Sequence, residues 1–317
     1  MSLFRLLGPH LVSKVWGGEK LKHFKGLDLS GEPLGESWEI SRLSEGSSLV
    51  KSNNGDERLA DLASKEQLPY LVKLIDTTDN LSIQVHPDDA YAKAHEASMG
   101  KTECWLILDS TPGAGIFLGL KAGVTQMQLS ASIKAKENIS QLMNFYPVKK
   151  GDFFYVPAGS IHAIGSNVTL AEIQQSSGVT YRVWDWNRLG LDGKERDLHV
   201  DQALEVIEFD ELKNSSEFFK IKRQLFSQPG RIELIRHKDF NVDLYNLSPS
   251  LEVSLKIEKS VRFNGFLNLG EAVVELNDEP LHAYQSGIFI VSGENRDIKC
   301  RLLSTKGEEC SSFLHIF

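Results

Sequence analysis

Cysteine is scarce in this chain: three in 317 residues, at positions 104, 300 and 310. An odd, sparse set excludes a disulfide scaffold, lacks the paired spacing of a structural zinc site and predicts free thiols in a reducing cytosol. Long apolar runs are missing too. No stretch approaches the roughly eighteen consecutive apolar residues of a membrane span, and Pro9 and His10 interrupt the opening segment before it reaches signal-peptide length. There is no cationic excess, since 35 Lys and Arg stand against 43 Asp and Glu for a formal net charge of −8. Nucleic acid is therefore not an expected partner. What is present is a globular composition, 41% hydrophobic and 25% charged, in a length that suits one large or two medium domains. The expectation is a soluble, cytoplasmic protein with a sizeable core.

Short apolar runs edged by Pro, Gly and Asp recur at 81–85, 153–156, 170–174, 179–186, 253–257, 272–276 and 287–291. Their β-branched and aromatic content predicts strands, and so many strands without alternating long helices predict a barrel or sandwich. Helical signals are fewer. One follows Pro87, entered through Asp88 or Asp89 and closed by Gly100; a second runs from Thr125 to Phe145; a third from Val200 to Ile207. The polar stretch 208–230 reads as a connection between two β units. A faint repeat, residues 151–159 against 287–293, fits a duplicated barrel whose second copy lacks the proline and the following histidine.

Four segments carry chemistry. In LSIQVHPDD the period of two places Gln84 and His86 on one face and Ile83 and Val85 on the other, and Pro87 ends the strand. In GKTECW an extended chain puts Lys101, Glu103 and Trp105 on one face, either as a solvated edge or as an acid and a base that must be paired or coordinated inside; Cys104 then faces away as a small core residue. In GDFFYVPAGSIHAIGSN a glycine turn, a strand, Pro157-Ala-Gly159 and His162 match the second motif of the cupin barrels, in which the turn sends the histidine inward. In LAEIQQSSGVTYRVWDWNR alternation puts Glu172 and Gln174 on one face of one strand, and Thr180, Arg182, Trp184 and Trp186 on one face of the next. Arg182 is then either a stacked structural guanidinium or a fixed cation for an anionic substrate. Lys73, in the apolar PYLVKLID, either snorkels outward or enters the same cavity. Gln84, His86, Glu103 and His162 together form a mixed nitrogen and oxygen set suited to zinc or another borderline divalent ion, with the openness of a catalytic site.

Several look-alikes fail. The glycines at 113, 115 and 119 miss dinucleotide-loop spacing by one position, Gly100-Lys101-Thr102 lacks the earlier glycine of a phosphate loop, and neither HExxH nor GxSxG occurs.

Trp16-Gly17-Gly18, GESWEIS (35–41), PYLVKLID, LSIQVHPDD, GKTECW, VPAGSIHAIG and TYRVWDWNR resemble, in order, the type I mannose-6-phosphate isomerases in their short bacterial form. The resemblance covers most of residues 10–190. It implies a mostly β fold of duplicated cupin-type jelly-roll barrels with a few appended helices. Residues 1–215 would form the catalytic cupin domain with helical insertions, and 216–317 a smaller β domain without a metal site. It further implies one zinc ion per chain on Gln84, His86, Glu103 and His162, with Lys73, Lys101 and Arg182 in the sugar-phosphate pocket. The implied reaction interconverts mannose 6-phosphate and fructose 6-phosphate through a cis-enediol. Family sequences often carry an acid four positions before the arginine; Gly178 stands there in this chain, which leaves Glu172 or a zinc-bound water as the base. The competing expectations are an Fe(II) cupin oxygenase and a non-catalytic sugar-binding cupin.

Overall fold

The structure, a computed structural model, describes residues 4–28, 30–52, 54–248, 252–258, 260–291, 295–303 and 311–317. Cys310 and the end of the faint repeat at 292–293 lie outside them. Among the described residues no helix is long and apolar enough to cross a membrane.

Two antiparallel sheets build the first half. A six-stranded sheet runs in the order Phe153–Val156, Glu103–Ser110, Val168–Gln175, Tyr70–Asp76, Leu34–Ile40, His10–Gly18. A five-stranded sheet runs Met143–Pro147, Gly115–Leu120, His162–Ile164, Ile83–Val85, Tyr181–Trp184. They share a core in which Trp105, Phe154 and Leu170 of the first meet Ile116, Leu118 and Ile164 of the second. Cys104, Leu106, Val72, Leu74 and Ile173 point from the other face of the six-stranded sheet into a second core with Phe263, Leu314 and Ile316. A sheet covered on both faces needs apolar residues in both parities, so Tyr70–Asp76 and Val168–Gln175 are buried throughout. The architecture is the expected mostly β one, consistent with a cupin-type jelly roll.

The second half holds an eight-stranded and a four-stranded sheet that enclose Tyr245, Phe266, Val274, Phe289, Ile298 and Phe313. Its eight-stranded sheet also takes in Phe4–Gly8, which pairs with Ser286–Ile290 through Phe4↔Phe289. The first strand in sequence thus completes the sheet of the last strands, a pairing with no local sequence signal.

Three local expectations need correction. The helix expected from Thr125 to Phe145 spans Gln126–Lys134, closes as Lys136 turns to φ 54°, and gives way to a 3-10 turn at Ile139–Leu142 and a strand at Met143–Pro147. The helix after Pro87 starts as expected, with Asp88 accepting from the Tyr91 amide, but ends at His95. The strand expected over 179–186 is only Tyr181–Trp184, with a register shift between Arg182 and Trp184. That shift sends Trp184 into an apolar cluster with Tyr181 and Val183, so the expected common face of Arg182, Trp184 and Trp186 does not form. The 208–230 connection is not merely a tether: Phe219 is fully buried against the shared core.

Candidate metal centre and its cavity

The site is assembled by backbone contacts between segments distant in sequence. Ile83 and Val85 enter an apolar cluster, which turns Gln84 and His86 the other way. Gln84 has two Cα partners, His162 on one side and Arg182 on the other. The Lys101 amide donates to the Pro87 carbonyl at 3.0 Å, and the Gly159 amide to the His86 carbonyl at 2.8 Å. These bonds hold the GKTE segment and the Pro-Ala-Gly turn against the residue that follows the strand. Two glycines are dictated by this crowding. Gly159 sits at φ +85°, where a Cβ would also lie 3.1 Å from the Val206 carbonyl, and a Cβ on Gly100 would come within 2.6 Å of the Asp88–Asp89 backbone.

His86, Glu103 and His162 offer ligand atoms that all lie within 4.8 Å of one another, and all three side chains are buried. Glu103 Oε2 is 3.5 Å from His86 Nε2, and Oε1 is 3.4 Å from His162 Nε2. The Nδ1 of His86 faces the Val179 carbonyl at 3.0 Å, and that of His162 the Ser160 carbonyl at 2.9 Å. A carbonyl only accepts, so both Nδ1 atoms carry the proton and both Nε2 lone pairs point at Glu103. Gln84 Nε2 lies 3.3 Å from His162 Nε2, and a half-turn of the amide presents Oε1 at the same place. Lys101 Nζ donates to His86 Nε2 at 3.0 Å and stands 3.4 Å from Glu103 Oε2.

Both oxygens of fully buried Glu103 lack a hydrogen-bond partner among the described residues. Burial, reinforced by Glu172, pushes the Glu103 pKa up to about 7. Burial, with Lys101 and His162 beside it, holds His86 well below its usual value; burial likewise holds His162 down to about 4. A buried carboxylate with no hydrogen-bond partner, facing two neutral imidazoles with Lys101 on one side only, is a costly arrangement that a divalent cation would resolve. The donor set, two imidazole nitrogens and a carboxylate with an amide oxygen in reach, fits zinc.

A second polar cluster adjoins the first. Lys73 Nζ lies 3.2 Å from Glu172 Oε1 and 3.5 Å from Glu36 Oε2, and Lys14 Nζ is 3.2 Å from Glu36 Oε1. Trp105 Nε1 donates to Glu172 at 3.1 Å and Trp38 Nε1 to Glu36 at 2.7 Å. Burial pushes the Glu36 carboxyl up, but Lys73 and Lys14 outweigh it and hold the pKa at about 2. Burial lowers the Lys73 ammonium, but Glu172 and Glu36 reverse this and raise it. Lys73 therefore enters the interior rather than reaching outward.

A cavity of about 310 Å³ is lined by Lys73, Gln84, Lys101, Glu172, Arg182 and Gly178, and also by Lys14, Glu36 and Arg196. Arg182 uses Nη1 to donate to the Asp197 carbonyl at 2.7 Å, while its buried Nε has no partner among the described residues. All eight residues singled out in sequence thus meet at one cluster or its cavity. Lys14, Glu36 and Arg196 were missed. Glu36 was legible, since GESWEIS alternates Glu36 and Trp38 on one face; Lys14 and Arg196 sit in polar stretches that carry no pattern. Gly178 leaves room at the cavity wall, where a Cβ would meet only Glu45 Oε1, at 3.2 Å.

The family model "Phosphomannose isomerase type I, catalytic domain" matches residues 3–103. Mannose-6-phosphate isomerase ManA of Bacillus subtilis is 35% identical over 305 residues, covering 90% of this chain and 94% of the relative. The mannose-6-phosphate isomerase of Streptococcus mutans is 41% identical over 214 residues, covering 63% of this chain and 66% of the relative. Among solved structures, the mannose 6-phosphate isomerase of Bacillus subtilis superposes with a TM-score of 0.80 at 26% identity, covering 98% of this chain and 99% of that one. On these similarities the chain belongs to the type I phosphomannose isomerases, a family of aldose–ketose isomerases.

Proposed function

We propose that this protein interconverts mannose 6-phosphate and fructose 6-phosphate through a cis-enediol, with one zinc ion per chain held by Gln84, His86, Glu103 and His162. The observation that carries the reading is the Glu103 carboxylate, buried without a hydrogen-bond partner, facing two imidazoles whose Nε2 lone pairs converge on it. A mannose 6-phosphate isomerase of the same fold has been solved with bound zinc and yttrium, which supports zinc as the ion. All residues of the proposed site precede position 200, which supports a catalytic unit in residues 1–215 and a smaller β unit in 216–317. Free, buried Cys104 and Cys300 suit a reducing cytoplasm.

Aldose–ketose isomerisation requires removal of a proton from one carbon, return to its neighbour, and stabilisation of the negative charge that develops on oxygen in between. Zinc, when bound, supplies Lewis-acid polarisation of the sugar oxygens. We assign the proton transfer to Glu172: it lines the cavity and lies 4% exposed, and its Oε1 has no well-aligned hydrogen-bond partner. Trp105 fixes the other oxygen of Glu172, leaving Oε1 as the one that exchanges the proton. Lys73 stays charged because Glu36 shares it, and with Lys101 it places positive charge where the enediolate forms. Walls of Ile75, Leu81 and Trp16 keep water from the reacting carbons. Arg182 holds the phosphate.

A coupled assay of mannose 6-phosphate conversion, run before and after chelation and after zinc is restored, tests the reading. Activity should vanish and return. Undiminished turnover by protein shown to be metal-free would overturn it.

A further inference from the structure

We infer that Arg196 joins Arg182 in a two-guanidinium seat for the substrate phosphate, carried into the cavity by the hairpin that runs from Asp185 to His199; this rests on the proposal that a sugar phosphate is the substrate. The hairpin closes through the Leu189↔Glu195 bridge and a Gly190 amide to Lys194 carbonyl bond at 2.7 Å, and its far end returns to Arg182 through the His199 amide at 2.8 Å. Arg196 therefore comes back beside Arg182 despite fourteen positions of separation, counted as 196 − 182, and both line the cavity.

Charge bookkeeping places the phosphate at this end. Every lysine of the cavity has a carboxylate of its own: Lys14 with Glu36 at 3.2 Å, Lys73 with Glu172 at 3.2 Å, Lys101 with Glu103 at 3.4 Å. The arginine end is different. Arg182 makes no ion pair among the described residues and leaves a buried Nε unpaired. Asp185 accepts from Arg196 twice, from Nε at 2.6 Å and from Nη2 at 2.5 Å, and its Oδ1 also accepts from Arg188 Nη2 at 3.0 Å. Arg188 also reaches Asp79 at 2.9 Å, so Arg188 and Arg196 are both paired, while Arg182 stands beside them with no carboxylate in ion-pair range among the described residues. Arg196 and Arg182 are close enough that, after burial, Arg196 is the main influence lowering the Arg182 pKa.

Arg182 keeps its Nε and Nη2 edge and Arg196 its Nη1 outside the bonds to Asp197 and Asp185, and planar guanidinium N–H groups match the three oxygens of a phosphate dianion better than ammonium groups do. The seat also adjoins the strand that carries Gln84 and leads into His86. Arg182 is the Cα partner of Gln84, one strand from the imidazole–carboxylate cluster, so a sugar spanning the cavity puts its phosphate here and its C1 and C2 there.

Calorimetric titration of the protein with inorganic phosphate, combined with steady-state kinetics on mannose 6-phosphate, tests the seat. Arg196→Ala should weaken phosphate binding by on the order of tenfold to a hundredfold and raise KM by a similar factor with a smaller change in kcat. Arg196→Lys should recover only part of the loss, because it restores charge without the fork. Arg196→Gln, which keeps the length and a donor, covers the case in which the alanine variant fails to fold. Phosphate affinity within about twofold of the unaltered protein in Arg196→Ala or Arg196→Gln, or no phosphate binding by the unaltered protein, overturns the inference. Phosphate binding that depends on Arg196 in a protein without turnover on mannose 6-phosphate would keep the seat and overturn the functional reading instead.

Discussion

The two halves of the molecule both bury polar side chains, but they close them differently. In the second half Asn268, fully buried, donates to the carbonyls of Ala272, Leu281 and His282, and His315 Nε2 meets Asn264 Oδ1 at 3.0 Å. In the first half Glu103, Glu172, Gln174 and Arg182 keep buried atoms without hydrogen-bond partners; among the described residues Ser311 is the single counterpart in the second half. Aromatic rings fill the second interior, with Phe266 against Phe289, Phe313 and His315, where the first keeps a cavity. A satisfied polar group belongs to the fold. An unsatisfied one leaves part of the desolvation cost standing, and two of these, Glu172 and Arg182, line the cavity, where a bound ligand would offset it.

The sharpest break of this contrast is inside the open cluster. Replacing Glu103 or His162 by Ala removes a proposed ligand, and turnover should fall by on the order of a thousandfold or more, the scale of losing a metal's contribution to charge stabilisation, with metal content falling in parallel. Removing Glu103 also takes the carboxylate from buried Lys101 at 3.4 Å, so the metal-free Glu103→Ala protein should melt below the metal-free parent. Elemental analysis and melting curves check both. Metal content and turnover near those of the parent in either variant would show that the cluster does not hold the metal.

The opposite cut goes into the closed interior. Phe266→Ala removes a fully buried ring and should cost about 3–5 kcal/mol of stability, measured by denaturant unfolding. The remaining folded protein should keep the kcat and metal content of the parent, since the open cluster is built from other sheets.

Acid should separate the halves as well. Burial holds His315 down to about 3, so its neutral form is preferred in the fold and its contribution is complete above the unfolded value of about 6.5. As pH falls from there toward 3 the unfolded chain takes up the proton first, and stability declines by an amount on the order of a few kcal/mol. His162, held at about 4, adds loss of the same sign in the metal-free protein, but bound zinc competes with its proton. Excess zinc should therefore steady the parent against acid only in part, and His315→Phe should remove much of what remains. Zinc that abolishes the acid sensitivity of the parent altogether would contradict the assignment to His315.

These same contrasts explain what could be read before the fold was known. The meeting of QVHP, the Pro-Ala-Gly turn with His162, and GKTE was legible because side chains that share a site stand at a fixed parity on their strands and the turn needs glycine at φ +85°. Cys104 facing the opposite core from Glu103 followed from the same parity. What escaped was set by contacts between distant segments. Phe4–Gly8 belongs to the C-terminal sheet through a pairing that spans the chain, and the bulge after Arg182 breaks an alternation that the letters display without interruption. The long helix expected over 125–145 failed because Met143–Pro147 is an edge strand beside Gly115–Leu120, and tertiary pairing overrides a local periodicity.

The smallest change worth making tests the base. Gly178 lines the cavity with ordinary backbone geometry, and a Cβ there would touch only Glu45 Oε1. Gly178→Ala asks an exposed carboxylate to yield by a few tenths of an ångström, so stability should change by no more than about 0.5 kcal/mol and kcat should stay near that of the parent. Gly178→Asp is the discriminating variant. If Glu172 moves the proton, a further carboxylate at the wall adds nothing to the chemistry and repels an anionic substrate, so kcat/KM should fall modestly and through KM. An increase in kcat would mean that position 178, rather than Glu172, commands the proton, since a transition-state contribution appears in kcat while simple repulsion does not.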